Sequence, residues 1–107
     1  MNADELRGHM DALLLSVLEG ESLHGYAIIE ELRERSGGEL TVPTGTVYPA
    51  LRRLESAGLL AGEWVTAGGR RRRTYRLTDA GRRALAGERS AWRSFTRTIG
   101  SVLDPLR

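Results

Sequence analysis

The hydrophobic period of this chain changes twice, and those changes limit the folds open to it. Before Gly58 the apolar residues recur at steps of three and four, which predicts amphipathic helices. Residues 59–67 and 70–78 are instead rich in strand formers and are separated by Gly68 and Gly69, which predicts a β-hairpin. From Asp79 the helical period returns. We therefore expect a mainly α fold with a small β-hairpin.

Glycines mark the ends of the three helices that precede the hairpin. The first helix has an apolar stripe from Leu6 to Leu18, and Gly20 follows it. The second starts at the HGY sequence of residues 24–26 and closes on the Gly-Gly pair at 37–38, a common C-terminal signal. The third lies between Thr41 and Gly58. Its regular part should begin near residue 44 or 45, with slight strain, because an interior proline at position 49 removes a backbone hydrogen bond.

The terminal helix carries an apolar seam of the kind that packs against another helix. Thr78 is placed to cap it, and the pattern runs to about Leu103. Apolar residues at steps of three and four, interrupted by Glu88, resemble the contact positions of paired helices. We expect a homodimer in which this helix packs on the first and last helices of a second subunit. The predicted dimer contacts are Leu6, Met10, Leu13, Leu85, Trp92, Phe95, Ile99 and Val102.

Length and composition indicate one compact unit. The 107 residues suit a single domain, and an aromatic content of 6% predicts a thin aliphatic core that a partner would extend. Within that unit we expect a DNA-binding part at residues 1–78 and a dimerisation helix at 79–107. No apolar run is long enough to span a membrane, and the first residues are polar and acidic, unlike a signal peptide. With no cysteine in the chain, we expect a cytoplasmic protein without disulfides.

Charge is distributed unevenly along the chain, and the basic residues are concentrated in its second part. Residues 1–69 hold 5 arginines and 11 acidic residues, whereas residues 70–107 hold 11 arginines and 3 acidic residues. Every basic residue is arginine, which forks onto phosphate and guanine better than lysine does, although a G+C-rich genome would also favour arginine. Four of the arginines follow the predicted hairpin turn directly, at residues 70–73.

The third helix and the hairpin together match a winged helix-turn-helix, to which the long C-terminal helix is added. In that fold one helix enters the major groove of double-stranded DNA and the hairpin, or wing, contacts the flanking backbone. The outward face of the third helix is small and cationic, so it can approach base edges closely. From the helix and wing, the predicted DNA contacts are Thr44, Gly45, Thr46, Tyr48, Pro49, Arg52, Arg53, Arg70, Arg71 and Arg72.

Three motifs resemble the PadR-like family of bacterial transcriptional regulators. They are HGY at residues 24–26, GTVYPALRRLESAGLL at 45–60 and YRLTDAG at 75–81, and the similarity covers roughly residues 10 to 85. In having a single terminal helix, the chain resembles the smaller subfamily of this family. The resemblance implies a dimeric winged-helix repressor that binds a palindromic operator and is often released by a small effector. It also implies that His24, Gly25 and Tyr26 start the helix beside the phosphate backbone.

Trp92 and Phe95 are the candidate effector contacts. Trp92 lies fourteen residues after Thr78, where the resemblance places the tryptophan of multidrug-responsive members of the small subfamily. Aromatic faces suit planar hydrophobic ligands, but a large aromatic residue on a helical seam also serves simple packing. Both roles therefore stay open.

Two other classes of function were weighed. An enzyme is disfavoured, since the chain has no cysteine and two histidines and offers neither a metal-ligand cluster nor a nucleophile with its base. We expect no cofactor and no metal. A winged helix used only for protein contact is the alternative to DNA binding, and arginines on both helix and wing argue against it.

Overall fold

The computed structural model describes Leu6 and residues 8–106. The elements in this part of the chain are α1 (Met10–Val17), β1 (Leu23–His24), α2 (Gly25–Arg35), α3 (Thr44–Ser56), β2 (Leu60–Ala67), β3 (Arg70–Leu77) and α4 (Asp79–Leu103). The predicted winged helix-turn-helix with a long C-terminal helix is confirmed. Within the described residues, no helix is both long and apolar enough to cross a membrane.

The first helix is shorter than the sequence pattern predicted. Gly8 adopts a φ of 83°, a left-handed conformation that interrupts a right-handed helix. The His9 amide donates to the carbonyl of Leu6 in a turn, and regular helix starts only at Met10. Leu6 itself is helical, so a turn at Gly8 and His9 interrupts the apolar stripe before α1 begins.

The sheet has one strand more than the predicted hairpin. Its order is β1-β3-β2 and both pairings are antiparallel. Leu23 pairs with Tyr75 and His24 with Thr74, so the two-residue strand β1 joins the start of α2 to the centre of β3. From the sequence this segment is expected to be a link, because two residues are too few to display a period of two.

A tight turn closes the wing. Ala67 pairs with Arg70, which leaves Gly68 and Gly69 as the two connecting residues. Their φ angles are 59° and 76°, and two successive positive values are what a two-residue hairpin turn of matching twist requires. The arginine run therefore starts at the tip of the wing.

The core lies between the helices and the inner face of the sheet. Buried aliphatic side chains come from all four helices and from β2 and β3, and they include Leu14, Ile28, Leu51, Leu60 and Leu85. Thr78 caps α4 as predicted, since its Oγ1 accepts a hydrogen bond from the Gly81 amide at 3.0 Å. From residue 90 to Leu106 nearly every side chain of the terminal segment is exposed, and the molecule is 57 Å long as a result.

Leu85 is a correction to the predicted dimer seam. Its side chain is only 2% exposed and packs in the core formed by α1 to β3. The seam residues one and two turns later are exposed, because α4 has by then passed the edge of the helical bundle. Leu85 thus holds α4 to its own subunit.

Candidate nucleic-acid interface

A groove of about 800 Å³ lies between the start of α2, the outward side of α3 and the wing. Eight of the residues predicted to contact DNA line it: His24, Gly25, Tyr26, Tyr48, Arg52, Arg70, Arg71 and Arg72. Residues far apart in the sequence are therefore brought to one surface. Glu55, Ser56, Trp64, Arg73 and Tyr75 also line the groove and were not predicted as site residues.

The outward face of α3 is open to solvent, as its residue pattern predicted. Val47, Leu51 and Leu54 are buried, and the exposed residues on the other side are Thr44, Gly45, Thr46, Pro49 and Arg52. The helix starts at Thr44 after a Pro43 N-cap that makes no side-chain cap. Pro49 lies inside it without ending it. Thr44, Gly45, Thr46 and Pro49 are thus exposed on α3 but are not among the residues that line the groove.

Arg53 does not line the groove. Its two terminal nitrogens donate to the two carboxylate oxygens of Asp11 on α1, at 2.9 and 2.7 Å. This fork raises the pKa of Arg53, through the hydrogen bond first and the charge of Asp11 second. Arg53 was predicted as a DNA contact at the flank of the outward face, since consecutive residues point about 100° apart on a helix. Arg52 faces the groove, and Arg53 joins α3 to α1.

Two tyrosines form the inner wall of the groove. The rings of Tyr26 and Tyr48 meet edge to face with centroids 6.4 Å apart. Tyr48 is half-buried against Gly25, where any side chain would overlap its ring, while Tyr26 is 65% exposed. Burial, and then the nearby Tyr26, raises the pKa of Tyr48, which keeps its hydroxyl protonated as a donor.

The wing presents its arginines in two different settings. Arg70 and Arg71 are exposed near the tip. Arg72 lies on the β1 side of the sheet, with Nη1 3.5 Å from Nε2 of His24. Burial, and then the charge of Arg72, lowers the pKa of His24, so this histidine stays neutral at neutral pH. None of Arg52, Arg70, Arg71 and Arg72 has an acidic partner within the described residues.

Trp64 and Glu55 are two of the five groove residues that were not predicted from the sequence. Trp64 is 57% exposed on β2, and Glu55 on α3 forms an ion pair with Arg73 on β3. The register of a two-residue hairpin turn places Trp64 opposite Arg73, so the tryptophan could have been found by counting back from Gly68. Glu55 gave no such signal, because its partner depends on how α3 packs beside the sheet.

The predicted dimer residues fall into two groups. The exposed fractions of Trp92, Phe95, Ile99 and Val102 are 52, 56, 42 and 75%. Leu6, Met10 and Leu13 are partly buried and pack against their own core. The rings of Trp92 and Phe95 stack with centroids 6.0 Å apart, and His9 meets the edge of Trp92 at 5.6 Å. An apolar face therefore continues from the end of the core along α4.

Across Leu6 and residues 8–106, no three side chains of histidine, cysteine, aspartate or glutamate gather where they could hold a metal ion. The chemistry available in the groove is instead that of guanidinium, phenol and indole groups. Such groups bind phosphate, donate hydrogen bonds to base edges and pack on flat surfaces.

The model of the transcriptional regulator PadR-like family matches residues 14–87, from within α1 through α2, α3 and the wing to the first part of α4. The chain belongs to the PadR-like family of transcriptional regulators. Family membership confirms the predicted resemblance and identifies a regulator, not an enzyme. The matched segment ends within α4, so the exposed apolar part of that helix lies outside it.

Several transcriptional regulators are similar along most of this chain. A transcriptional regulator of Mycobacterium tuberculosis, Rv3488, is 44% identical over 77 residues, 72% of this chain and 69% of its own. A PadR-family regulator from Eggerthella lenta is 36% identical with a TM-score of 0.82, over 94% of this chain and 87% of its own. Bacillus subtilis PadR, solved with operator DNA, is 25% identical with a TM-score of 0.69, over 75% of this chain and 46% of its own.

Proposed function

We propose that this PadR-like protein is a homodimeric repressor of transcription that binds a palindromic operator in double-stranded DNA. In this mechanism the two copies of α3 enter successive major grooves about one helical turn apart, and the wings contact the flanking backbone. Binding there blocks transcription from the adjacent promoter. Residues 1–78 would then contact DNA, and residues 79–107 would pair the two subunits.

The observation that carries the proposal is the groove beside α3. Arg52 from the helix and Arg70, Arg71 and Arg72 from the wing converge on it, and none has an acidic partner within the described residues. Unpaired guanidinium groups on one surface attract a polyanion and release its counterions on binding. The Bacillus subtilis relative was solved in complex with operator DNA, which supports DNA as the partner of this chain. A protein ligand would not need four unpaired arginines around an open helix face.

Pairing through α4 is supported by its exposed apolar face. Trp92, Phe95, Ile99 and Val102 lie on one side of a helix that extends beyond the core, with Leu106 almost fully exposed at its end. A monomer would leave this continuous face in water, which is costly. A second copy of the same helix offers the matching surface, and the twofold symmetry of such a pair matches a palindromic site.

We further propose that a planar hydrophobic effector binds beside Trp92 and Phe95. The two rings are nearly parallel, with an interplanar angle of 25°, and both are more than half exposed. A flat ligand would extend this stack towards the partner subunit. A ligand that binds more tightly when the two copies of α3 have a spacing that does not fit the operator shifts the population of dimers towards that spacing. The dimer then releases the operator.

The first experiment is a fluorescence-anisotropy titration of the purified protein against DNA from upstream of its own gene, beside a scrambled duplex of equal length. Sequence-preferring binding that weakens steeply with salt supports the proposal. Binding to neither duplex, followed by a genomic DNA pull-down that enriches no sequence, refutes it and favours a protein-contact module. A promoter-reporter strain then separates repression from activation.

A further inference from the structure

The indole of Trp64 lies between two arginines of the wing. Trp64 on β2 faces Arg73 on β3 directly, and Arg71 is on the same face of the sheet because successive side chains alternate. The guanidinium carbons of Arg71 and Arg73 lie 4.7 and 5.4 Å from the centre of the indole. Both distances are within the range of cation–π attraction, so the ring stabilises both arginines.

Arg73 is also held by a residue of α3. Its Nη2 donates to a carboxylate oxygen of Glu55 on α3, and this hydrogen bond raises the pKa of Arg73. Gly62 leaves the space that the guanidinium occupies, since a Cβ at that position would lie 2.8 Å from Nε of Arg73. Arg73 is thus fixed between α3, the indole and the backbone of β2, whereas Arg71 is exposed.

We propose that Glu55 is a positioning residue of the DNA-binding surface, a role that rests on the DNA binding proposed above. Through Arg73 and the Trp64 ring, Glu55 fixes the angle between the wing and α3 and so sets where Arg71 meets the DNA backbone. Arg71 is the contact, Arg73 is the connection and Trp64 is the surface on which both lie. The effect is greatest on the operator, where helix and wing must bind at the same time.

Charge alone and positioning predict opposite effects of Glu55→Gln on operator binding, so the positioning role can be tested. Glu55 is an acid on a surface that meets phosphates, so removing its charge should strengthen binding to any DNA. If positioning dominates, Glu55→Gln weakens operator binding although the protein becomes more positive. Glu63→Gln is the control, because Glu63 is an exposed acid on β2 of the wing and forms no ion pair within the described residues.

The experiment measures operator and scrambled-duplex affinity for wild type, Glu55→Gln, Glu63→Gln and Arg73→Lys. We expect Glu55→Gln to weaken operator binding about threefold, as for loss of one partly exposed ion pair, without weakening binding to the scrambled duplex. Arg73→Lys keeps the charge but loses the planar stacking group, and should follow Glu55→Gln. Glu63→Gln should bind the operator as wild type or more tightly. Equal or tighter operator binding by Glu55→Gln overturns the positioning role.

A second readout needs no DNA. In protein labelled with 5-fluorotryptophan, the ¹⁹F resonance of Trp64 is the one that Trp64→Phe removes. We expect Glu55→Gln to shift this resonance and Glu63→Gln to leave it in place; an unmoved resonance in Glu55→Gln overturns the connection. Wild-type protein that binds no DNA while the resonance still shifts refutes the proposed function and not the connection. A circular dichroism melt confirms that each variant is folded.

Discussion

The salt dependence of operator binding should report Arg71 directly. Each arginine that neutralises a phosphate of duplex DNA contributes about −0.9 to the slope of log affinity against log salt concentration. Arg71 is exposed beside the wing tip, lines the groove and has no acidic partner within the described residues. A dimer presents it twice, so Arg71→Ala should make the slope shallower by about 1.8.

The measurement is an anisotropy titration of the operator at several salt concentrations from about 50 to about 200 mM. Over that fourfold range, wild-type affinity should fall about twelvefold further than that of Arg71→Ala. Arg76→Ala is the matched control, because Arg76 is an exposed arginine of the same strand that does not line the groove. Equal slopes for the two variants would refute the assignment of Arg71 as a phosphate contact.

Four further substitutions, one of them a control, test the packing of the chain, each compared with wild type at one protein concentration because dimer stability depends on it. Leu85→Ala, which empties a site 2% exposed, should lower the free energy of unfolding by about 2 to 5 kcal/mol in urea denaturation. Val102→Asp should give a monomer by sedimentation velocity; a dimer would mean that α4 is not the seam. Gly25→Ala must displace the Tyr48 ring and should cost about 1 to 3 kcal/mol, whereas Gly45→Ala, facing open space, should cost nothing.

Elements with a strong local signal were predictable from the sequence. The two glycines of the wing turn, the threonine cap of α4 and the period of its apolar seam are each decided by neighbouring residues, and the structure has all three. Strand β1 was missed because its two residues take extended form only by pairing with β3. The start of α1 was misplaced because the conformation of Gly8 is not visible in a hydrophobic pattern.

The candidate site divides in the same way. Arg52 could be assigned from the helical period, since that period fixes which side of α3 it faces, and the wing arginines could be assigned from their place directly after the hairpin turn. The partners of Arg53 and Glu55 depend on contacts between elements. Arg53 forms an ion pair with Asp11 of α1, and Glu55 forms one with Arg73 of β3. A sequence pattern gives the direction of a side chain, and only packing gives its partner.

The attachment of α4 near its middle makes the outer half of that helix a lever arm. Arg89 donates to both carboxylate oxygens of Glu19 at 2.9 and 2.8 Å and fixes the helix to the end of α1. From Arg89 to Leu103 the helix extends about 21 Å at 1.5 Å per residue. A tilt of about 5° at Arg89 would therefore displace its far end by about 1.8 Å. Small angular changes at the anchor are magnified where two subunits would meet.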